Sequence, residues 1–193
     1  MVMTRQFDEN DVLEKVLSVF WTRGWLSTSM NDLALATGVQ RGSLYHAFES
    51  KDRLFRLAFD RYAARVLDES RTALEAPTAR AAIQSFLDAS IRRMVGDQPA
   101  RGCFTTKTAL EGGALSEETL QRLQDLVTRQ QQLLIEALAR QEWEDELAVA
   151  PETAARLITT LTRGLAVIER VYRDVDHLHA VSQDLVDLLA PVR

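Results

Sequence analysis

Apolar positions recur with helical spacing from one end of this chain to the other. Val12, Val16, Val19 and Phe20 fall at i, i+4, i+7 and i+8, Leu13 and Leu17 widen the stripe, and Gly24 closes it. Short helices follow as far as Phe48. Ser50 is placed to cap a long helix over about Lys51–Leu74, apolar at Leu54, Leu57, Ala58, Tyr62 and Leu67 and stopped by Pro77. The next covers about Ala79–Val95 and ends at Gly96-Asp97-Gln98-Pro99, and a short one begins after Arg101-Gly102 and breaks at Gly112-Gly113. Ser116, followed by Glu117 and Glu118, opens a long helix whose buried side is predicted at Leu120, Leu123, Val127, Leu134 and Leu138. Pro151 suits the first position of another, with Leu157, Leu161, Leu165, Ile168 and Val171 inside, and a last helix spans about Leu178–Leu189. No segment alternates with the period of a strand, and there is no internal repeat or flexible linker. The expected fold is all-α, with about nine helices.

Composition changes this picture little. The chain has 193 residues, 46% hydrophobic and 26% charged, which excludes disorder and permits a substantial core without staples. One cysteine excludes a disulfide framework and a cysteine-based zinc cluster. Met1-Val2-Met3-Thr4-Arg5-Gln6-Phe7-Asp8 has no apolar signal region, and no apolar run approaches the roughly 18 residues of a membrane span, so a soluble cytoplasmic protein is expected. Charge is more informative. The net charge is −5, but residues 1–65 carry nine Lys/Arg against eight Asp/Glu, and the acidic excess lies in residues 66–193. A local basic surface is therefore compatible with an acidic protein.

Residues 28–56 carry the most information. A short helix over about Met30–Thr37 has Ser29 as its cap and Asp32 placed for the reciprocal capping-box contact. Gly38 supplies a left-handed turn, and a second short helix starts near Arg41. Ala34 is small where the helices cross, Val39 plugs the turn, and Leu44 and Phe48 face inward. This is the pattern of a helix-turn-helix, whose second helix enters the DNA major groove. Gln40, Arg41, Ser43, Tyr45 and His46 lie outward and can hydrogen-bond to bases or phosphates. His46 alone fits equally well as a hydrogen-bonded histidine at the base of the helix.

Those residues resemble the DNA-binding domain of the TetR family of transcriptional regulators. The likeness rests on Gly24-Trp25, Thr28-Ser29-Met30, Asp32-Leu33-Ala34, Ala36-Thr37-Gly38-Val39, Gly42-Ser43-Leu44-Tyr45-His46-Ala47-Phe48 and Ser50-Lys51-Asp52-Arg53-Leu54-Phe55, within about residues 8–60. It implies a three-helix DNA-binding domain over 1–50 and a helical effector-binding and dimerisation domain over 51–193. Carried over by position, Thr28, Ser29, Tyr45, His46 and Lys51 would clamp phosphates and Gln40, Arg41 and Ser43 would read base edges. Gly42 would let the backbone approach, and Leu44 is counted with this DNA-contacting stretch. Arg41 has the right chemistry for a bidentate pair with guanine. The implied partners are a double-stranded operator and a second copy of the chain, joined through the last two long helices. Gly164 and Ala166 would permit close approach there.

In the second half, Arg101-Gly102-Cys103-Phe104-Thr105-Thr106-Lys107 resembles a segment that opens the sixth helix in one branch of that family, where the cysteine senses electrophiles or oxidants in some members. A helix N-terminus and Lys107 at i+4 would favour the Cys103 thiolate; the plain alternative is a small buried hydrophobe. Phe86, Met94, Phe104, Leu126 and Tyr172 are pocket candidates by position. His177 and His179, beside Asp174 and Asp176, supply no tetrahedral metal set and are expected in a polar loop. No metal or cofactor is implied. The expected function is a dimeric regulator, most simply a repressor released from a palindromic operator by a small molecule or a reactive electrophile. The alternative is a helical protein-interaction adaptor without specific DNA binding. No nucleophile and base share a catalytic motif, which argues against an enzyme.

Overall fold

The computed structural model describes residues 7–96 and 100–192. Residues 97–99, on which the expected helix stop partly falls, and most of the opening segment Met1–Phe7 lie outside the described residues. Among the described residues there are nine α-helices and no strand: α1 (Glu9–Arg23), α2 (Met30–Thr37), α3 (Arg41–Phe48), α4 (Lys51–Leu74), α5 (Ala79–Val95), α6 (Phe104–Leu110), α7 (Glu117–Leu138), α8 (Pro151–Tyr172) and α9 (Val175–Leu189). Short 3₁₀ turns at Gly112–Ala114 and Gln141–Trp143 fall between them. The all-α expectation and the bounds of α4 and α5 are matched residue for residue.

The chain divides into two compact units, residues 1–64 with 107–123, and residues 65–106 with 124–193. In the first, α1 packs on α2 and α2 on α3. Its centre is aromatic: the Phe20 and Phe55 rings meet edge to face at 4.8 Å, and Trp21 meets Tyr62 the same way at 5.1 Å. Such pairs add about 0.5–1.5 kcal/mol each beyond their buried area. Val16, Leu33, Leu44 and Leu54 are among the aliphatic residues buried around it.

In the second unit α5 packs against both α8 and α9. One core cluster holds Ile83, Phe86, Leu87, Leu134, Trp143, Ile158 and Val186; a smaller one holds Ile91, Met94, Cys103, Leu165 and Leu178. Trp143 anchors a helix end, its indole N–H donating to the Pro77 carbonyl at 3.3 Å.

Two expectations about buried faces and one about a loop need correction. On α7 the buried positions are Thr119, Leu126, Gln130, Leu134, Ala137 and Leu138, whereas Leu120 is exposed. The true stripe holds a Thr and a Gln, so an apolar count drifts off its register. On α8 the buried residues are Ala154, Ala155, Ile158, Thr159, Thr162, Leu165, Ala166 and Glu169, while Leu157 and Val171 face solvent. His177 and His179 are not in a loop: Asp174 caps α9 by accepting the His177 amide at 3.1 Å, and both histidines lie on that helix.

Candidate nucleic-acid interface

The local sequence builds the α2–α3 hairpin tightly. Ser29 Oγ accepts the Asp32 amide at 3.2 Å while the Asp32 carboxylate accepts the Ser29 amide at 2.8 Å, closing the capping box. The Ser29 hydroxyl also donates to Asp32 Oδ2, and this bond first, then the Ser29 amide, holds the Asp32 carboxyl below its ordinary range, with Arg23 at 2.8 Å helping. Gly38 caps α2 at φ 74°, ψ 8°, the left-handed conformation that costs glycine least. After α3, Glu49 takes φ 66°, ψ −47°, and the Ser50 amide donates to the Phe48 carbonyl at 2.7 Å. That is a γ-turn, a strained conformation for a residue with a side chain. Ser50 Oγ then accepts the Arg53 amide at 3.1 Å, starting α4 as the sequence predicts.

This hairpin leaves one face of α3 open. Gln40, Arg41, Gly42, Ser43, Tyr45 and His46 are all exposed. The Arg41 guanidinium stands 5.4 Å over the Tyr45 ring and reaches Asn31 Oδ1 at 3.3 Å. A Cβ added at Gly42 would meet nothing within 4 Å, so no contact inside the chain requires a glycine there. Between the exposed residues Leu44 turns inward and is fully buried with Phe48.

Four expected DNA contacts stand differently. Leu44 belongs to the core and cannot reach a ligand, which corrects its inclusion; its helical position faces away from the open side of α3. Thr28 is buried, its hydroxyl donating to the Gly24 carbonyl at 2.6 Å. Ser29 is exposed but its hydroxyl is engaged in the capping box. Lys51 is half-buried: its ammonium donates to the Trp25 and Thr28 carbonyls at 2.9 and 2.8 Å and stands 4.0 Å from the Trp25 ring centroid. Burial pushes the Lys51 ammonium below its ordinary range, and the Glu111 carboxylate pulls it back only partly.

In the second unit, Cys103 is buried, and its sulfur accepts a hydrogen bond from Arg163 Nη1 at 3.3 Å. Burial alone would push the thiol up. The Arg163 charge, helped by the Thr106 and Thr105 groups beside the sulfur, outweighs it, so the thiol lies below its ordinary range. Arg163 is held in turn by Gln130 Oε1 at 2.8 Å, and Gln130 donates to Ser70 Oγ at 3.3 Å. The expected partner Lys107 is elsewhere: its ammonium donates to the Trp21 and Thr22 carbonyls at 2.6 and 2.7 Å. Sequence reasoning missed Arg163, sixty residues away. The available signal was Gln130, a polar side chain four residues from both Leu126 and Leu134 on one helix face.

Of the pocket candidates, only Met94 shares a cavity with Cys103. That space, lined also by Ser90, Arg93, Thr162 and Arg163, is about 10 Å³, one water molecule in size. Phe86 packs in the other core cluster, Phe104 and Leu126 are buried but do not line the cavity, and Tyr172 is on the surface. A wider cleft of about 590 Å³ opens between α4 and α5, lined by Asp68, Glu69, Asp88, Arg92 and Arg93 among others. Its charged, open lining is unlike an apolar ligand pocket.

Known proteins share this architecture. The family model "Bacterial regulatory proteins, tetR family" matches residues 12–58, and "Transcriptional regulator LmrA/YxaF-like, C-terminal domain" matches residues 79–184. The chain is 23% identical to the HTH-type transcriptional repressor ComR of Escherichia coli (strain K12), over 91% of this chain and 86% of ComR. It is 26% identical to YezE, an uncharacterised HTH-type regulator of Bacillus subtilis (strain 168), over 97% of each. A cysteine mutant of the TetR-family regulator CifR, solved with a 26-base-pair operator duplex, superposes with a TM-score of 0.78 at 27% identity over 95% of this chain and 97% of that one. The fold also matches reduced NemR of E. coli, with a TM-score of 0.85 at 20% identity over 95% and 97% of the two chains. With both halves matched in order and the helix-turn-helix intact, the chain belongs to the TetR family of DNA-binding transcriptional regulators.

Proposed function

We propose that this regulator is a dimeric repressor of the cytoplasm, released from a palindromic operator when an effector acts on the second unit. The observation that carries the DNA-reading part is the open face of α3, where Gln40, Arg41, Ser43, Tyr45 and His46 surround a glycine that nothing inside the chain requires. Arg41 and Gln40 suit base edges and Tyr45 and His46 suit phosphates. CifR, a relative of this fold, was solved on operator DNA, and ComR is named a repressor.

The outer face of α8 supports a dimer. Leu157, Val167, Val171 and Tyr172 form an exposed apolar row, Val171 at 65%, and Gly164 in its midst has open space at its missing Cβ. Leu188 of α9 is 71% exposed. Helices so arranged are natural material for a symmetric four-helix contact.

Cys103 is the effector candidate the geometry favours. Its thiolate, steadied by Arg163, would attack one oxygen of a peroxide; the O–O bond breaks, the distal oxygen leaves as hydroxide or alkoxide, and the sulfur becomes a sulfenic acid. With Lys107 engaged elsewhere, it takes no part in this reading, and neither does catalysis.

The test is fluorescence anisotropy on DNA upstream of the chain's own gene, with the protein reduced and then treated with hydrogen peroxide. Specific binding lost on oxidation in the wild type but kept in Cys103→Ser supports the whole reading. Specific binding that ignores oxidation, with the sulfenic acid verified by mass, removes Cys103 and leaves a reversible small molecule as effector. Binding no tighter than to a scrambled duplex removes self-regulation. An adaptor would show no specific site in a genomic selection and no linear log–log dependence on salt.

A further inference from the structure

The corner between α1 and α2 cannot satisfy its own backbone. Helix α1 ends at Arg23 and leaves its last carbonyls without helical partners. The Gly24 amide takes the Phe20 carbonyl at 2.8 Å. Thr28 helps from within, its hydroxyl donating to the Gly24 carbonyl at 2.6 Å and its amide to the Trp25 carbonyl at 3.3 Å, and three side chains from outside the corner hold further groups. Lys107 donates to the carbonyls of Trp21 and Thr22. Glu111 accepts the amides of Trp25 at 2.7 Å and Leu26 at 3.3 Å. Lys51 donates to the carbonyls of Trp25 and Thr28 while covering the Trp25 ring. Four carbonyls and two amides are thus held by two cations and one carboxylate.

Gly24 shows how close the fit is. Its φ is +85°, and a Cβ there would lie 2.5 Å from Glu111 Oε1, so the carboxylate occupies the space a side chain would need. The corner sets α2 against α1, and α2 carries α3, since these helices pack in that order.

We propose that Lys51, Lys107 and Glu111 are positioning residues for operator binding, a polar latch that holds the α1–α2 corner and through it the recognition helix. In particular, Lys51 serves DNA binding from inside the protein and does not neutralise a phosphate. This inference rests on the DNA-binding reading above, but the latch itself makes a claim that needs no DNA. Lys51 has three ammonium hydrogens; two point at carbonyls, and the indole lies against the charge. Only the third hydrogen is left for a phosphate, and drawing the ammonium outward to reach one would break the bond to the Thr28 carbonyl and leave the Trp25 carbonyl with the Thr28 amide alone.

Salt dependence separates the two roles. Each phosphate neutralised by a cation contributes about 0.9 to the log–log salt slope. The probe is a duplex selected in vitro from random sequence by the full-length wild-type protein. For Lys51→Met, which keeps the stem over Trp25, affinity is expected to fall at least about fivefold with the slope unchanged, because positioning is lost but no phosphate contact is. A slope lower by about 0.9 per clamp overturns the proposal for Lys51.

Glu111→Gln tests the latch by sign. Removing a negative charge from a DNA-binding unit should tighten binding if charge alone matters, whereas loss of positioning weakens it. Weaker binding supports the latch; equal or tighter binding overturns it. Amide hydrogen exchange over residues 24–28 judges the latch even if no duplex is selected. Exchange at least about tenfold faster in Glu111→Gln and Lys107→Met than in the wild type, with the middle of α4 unchanged, supports it. Unchanged protection at the corner overturns it.

Discussion

Replacing Gly42 by alanine should move stability and DNA binding in opposite directions. Gly42 lies in the first turn of α3 with ordinary helical backbone, is exposed, and has open space where a Cβ would go. Inside the chain, alanine therefore brings only its benefit: less conformational entropy lost on folding, about 0.5–1 kcal/mol at a helical site. For a chain of this length about 1 kcal/mol raises Tm by roughly 2–4 °C, so a rise of about 1–4 °C is expected by calorimetry. Operator binding should fall. If the α3 backbone approaches DNA at Gly42, a methyl group there pushes the helix away and weakens neighbouring base contacts, each worth about 1–3 kcal/mol of discrimination. Losing even one weakens binding about tenfold. The assay is anisotropy on the selected duplex beside a melting curve for the same sample. A variant that is more stable and binds as tightly as the wild type would refute the reasoning, because Gly42 would then face no DNA backbone or base edge. A variant that is less stable would refute the packing half.

Four further outcomes follow from the same geometry. Leu44→Ala should lose about 2–5 kcal/mol of stability, since the side chain is fully buried, yet leave the salt slope of the folded protein unchanged. Arg163→Met removes the cation at the Cys103 sulfur, so the thiol titrates higher and reacts more slowly with hydrogen peroxide at neutral pH, the gap closing as pH rises. Asp32 has a lowered carboxyl in the folded state, so its capping-box contribution is present above the unfolded carboxylate range and lost as pH falls through the folded value. Asp32→Asn should flatten that acid limb in denaturant titrations; an unchanged limb would dismiss the link. Val167→Glu places a charge in the exposed row of α8 and should yield monomers in sedimentation if that row is the dimer contact.

Legibility in the sequence followed locality. The helix-turn-helix could be read because its determinants sit within a few residues of one another: Ser29 with Asp32, Gly38 after Thr37, Leu44 with Phe48. The starts of α4 and α8 were equally local, set by Ser50 and Pro151. What could not be read depended on groups far apart in sequence. Lys107 looks like a partner for Cys103 at i+4, but two helix-end carbonyls outbid the thiol for its ammonium. Lys51 looks like a phosphate clamp until Trp25 and Thr28 are brought beside it. The inward face of α8 mixes Ile158 and Leu165 with small or polar Ala154, Ala155, Thr162 and Ala166, while Leu157 and Val171 point out. A hydrophobicity count skips the alanines and threonines and so draws the stripe too far round the helix.

The size of the space beside Cys103 makes the effector reading sharper. About 10 Å³ lies next to the sulfur, with Met94 and Thr162 on its wall and the Arg163 guanidinium against the thiol. A sulfenic oxygen is roughly the size of the water that such a cavity holds. A maleimide or another bulky electrophile is many times larger, and placing one there requires Met94 or α8 to shift. Overfilling a packed interior costs about 1–3 kcal/mol. Coupled to an equilibrium between operator-binding and free forms, that is enough to change occupancy about five- to hundredfold. Reagents should therefore split by size. Hydrogen peroxide should modify Cys103 in the folded protein, while N-ethylmaleimide should react only as fast as local opening exposes the thiol, followed by intact mass. Once attached, the bulky adduct should lower Tm by several degrees and the sulfenic acid by much less. Equal rates for both reagents, corrected for their rates with free cysteine, would mean that the thiol is reached without opening and that the small cavity does not govern its chemistry.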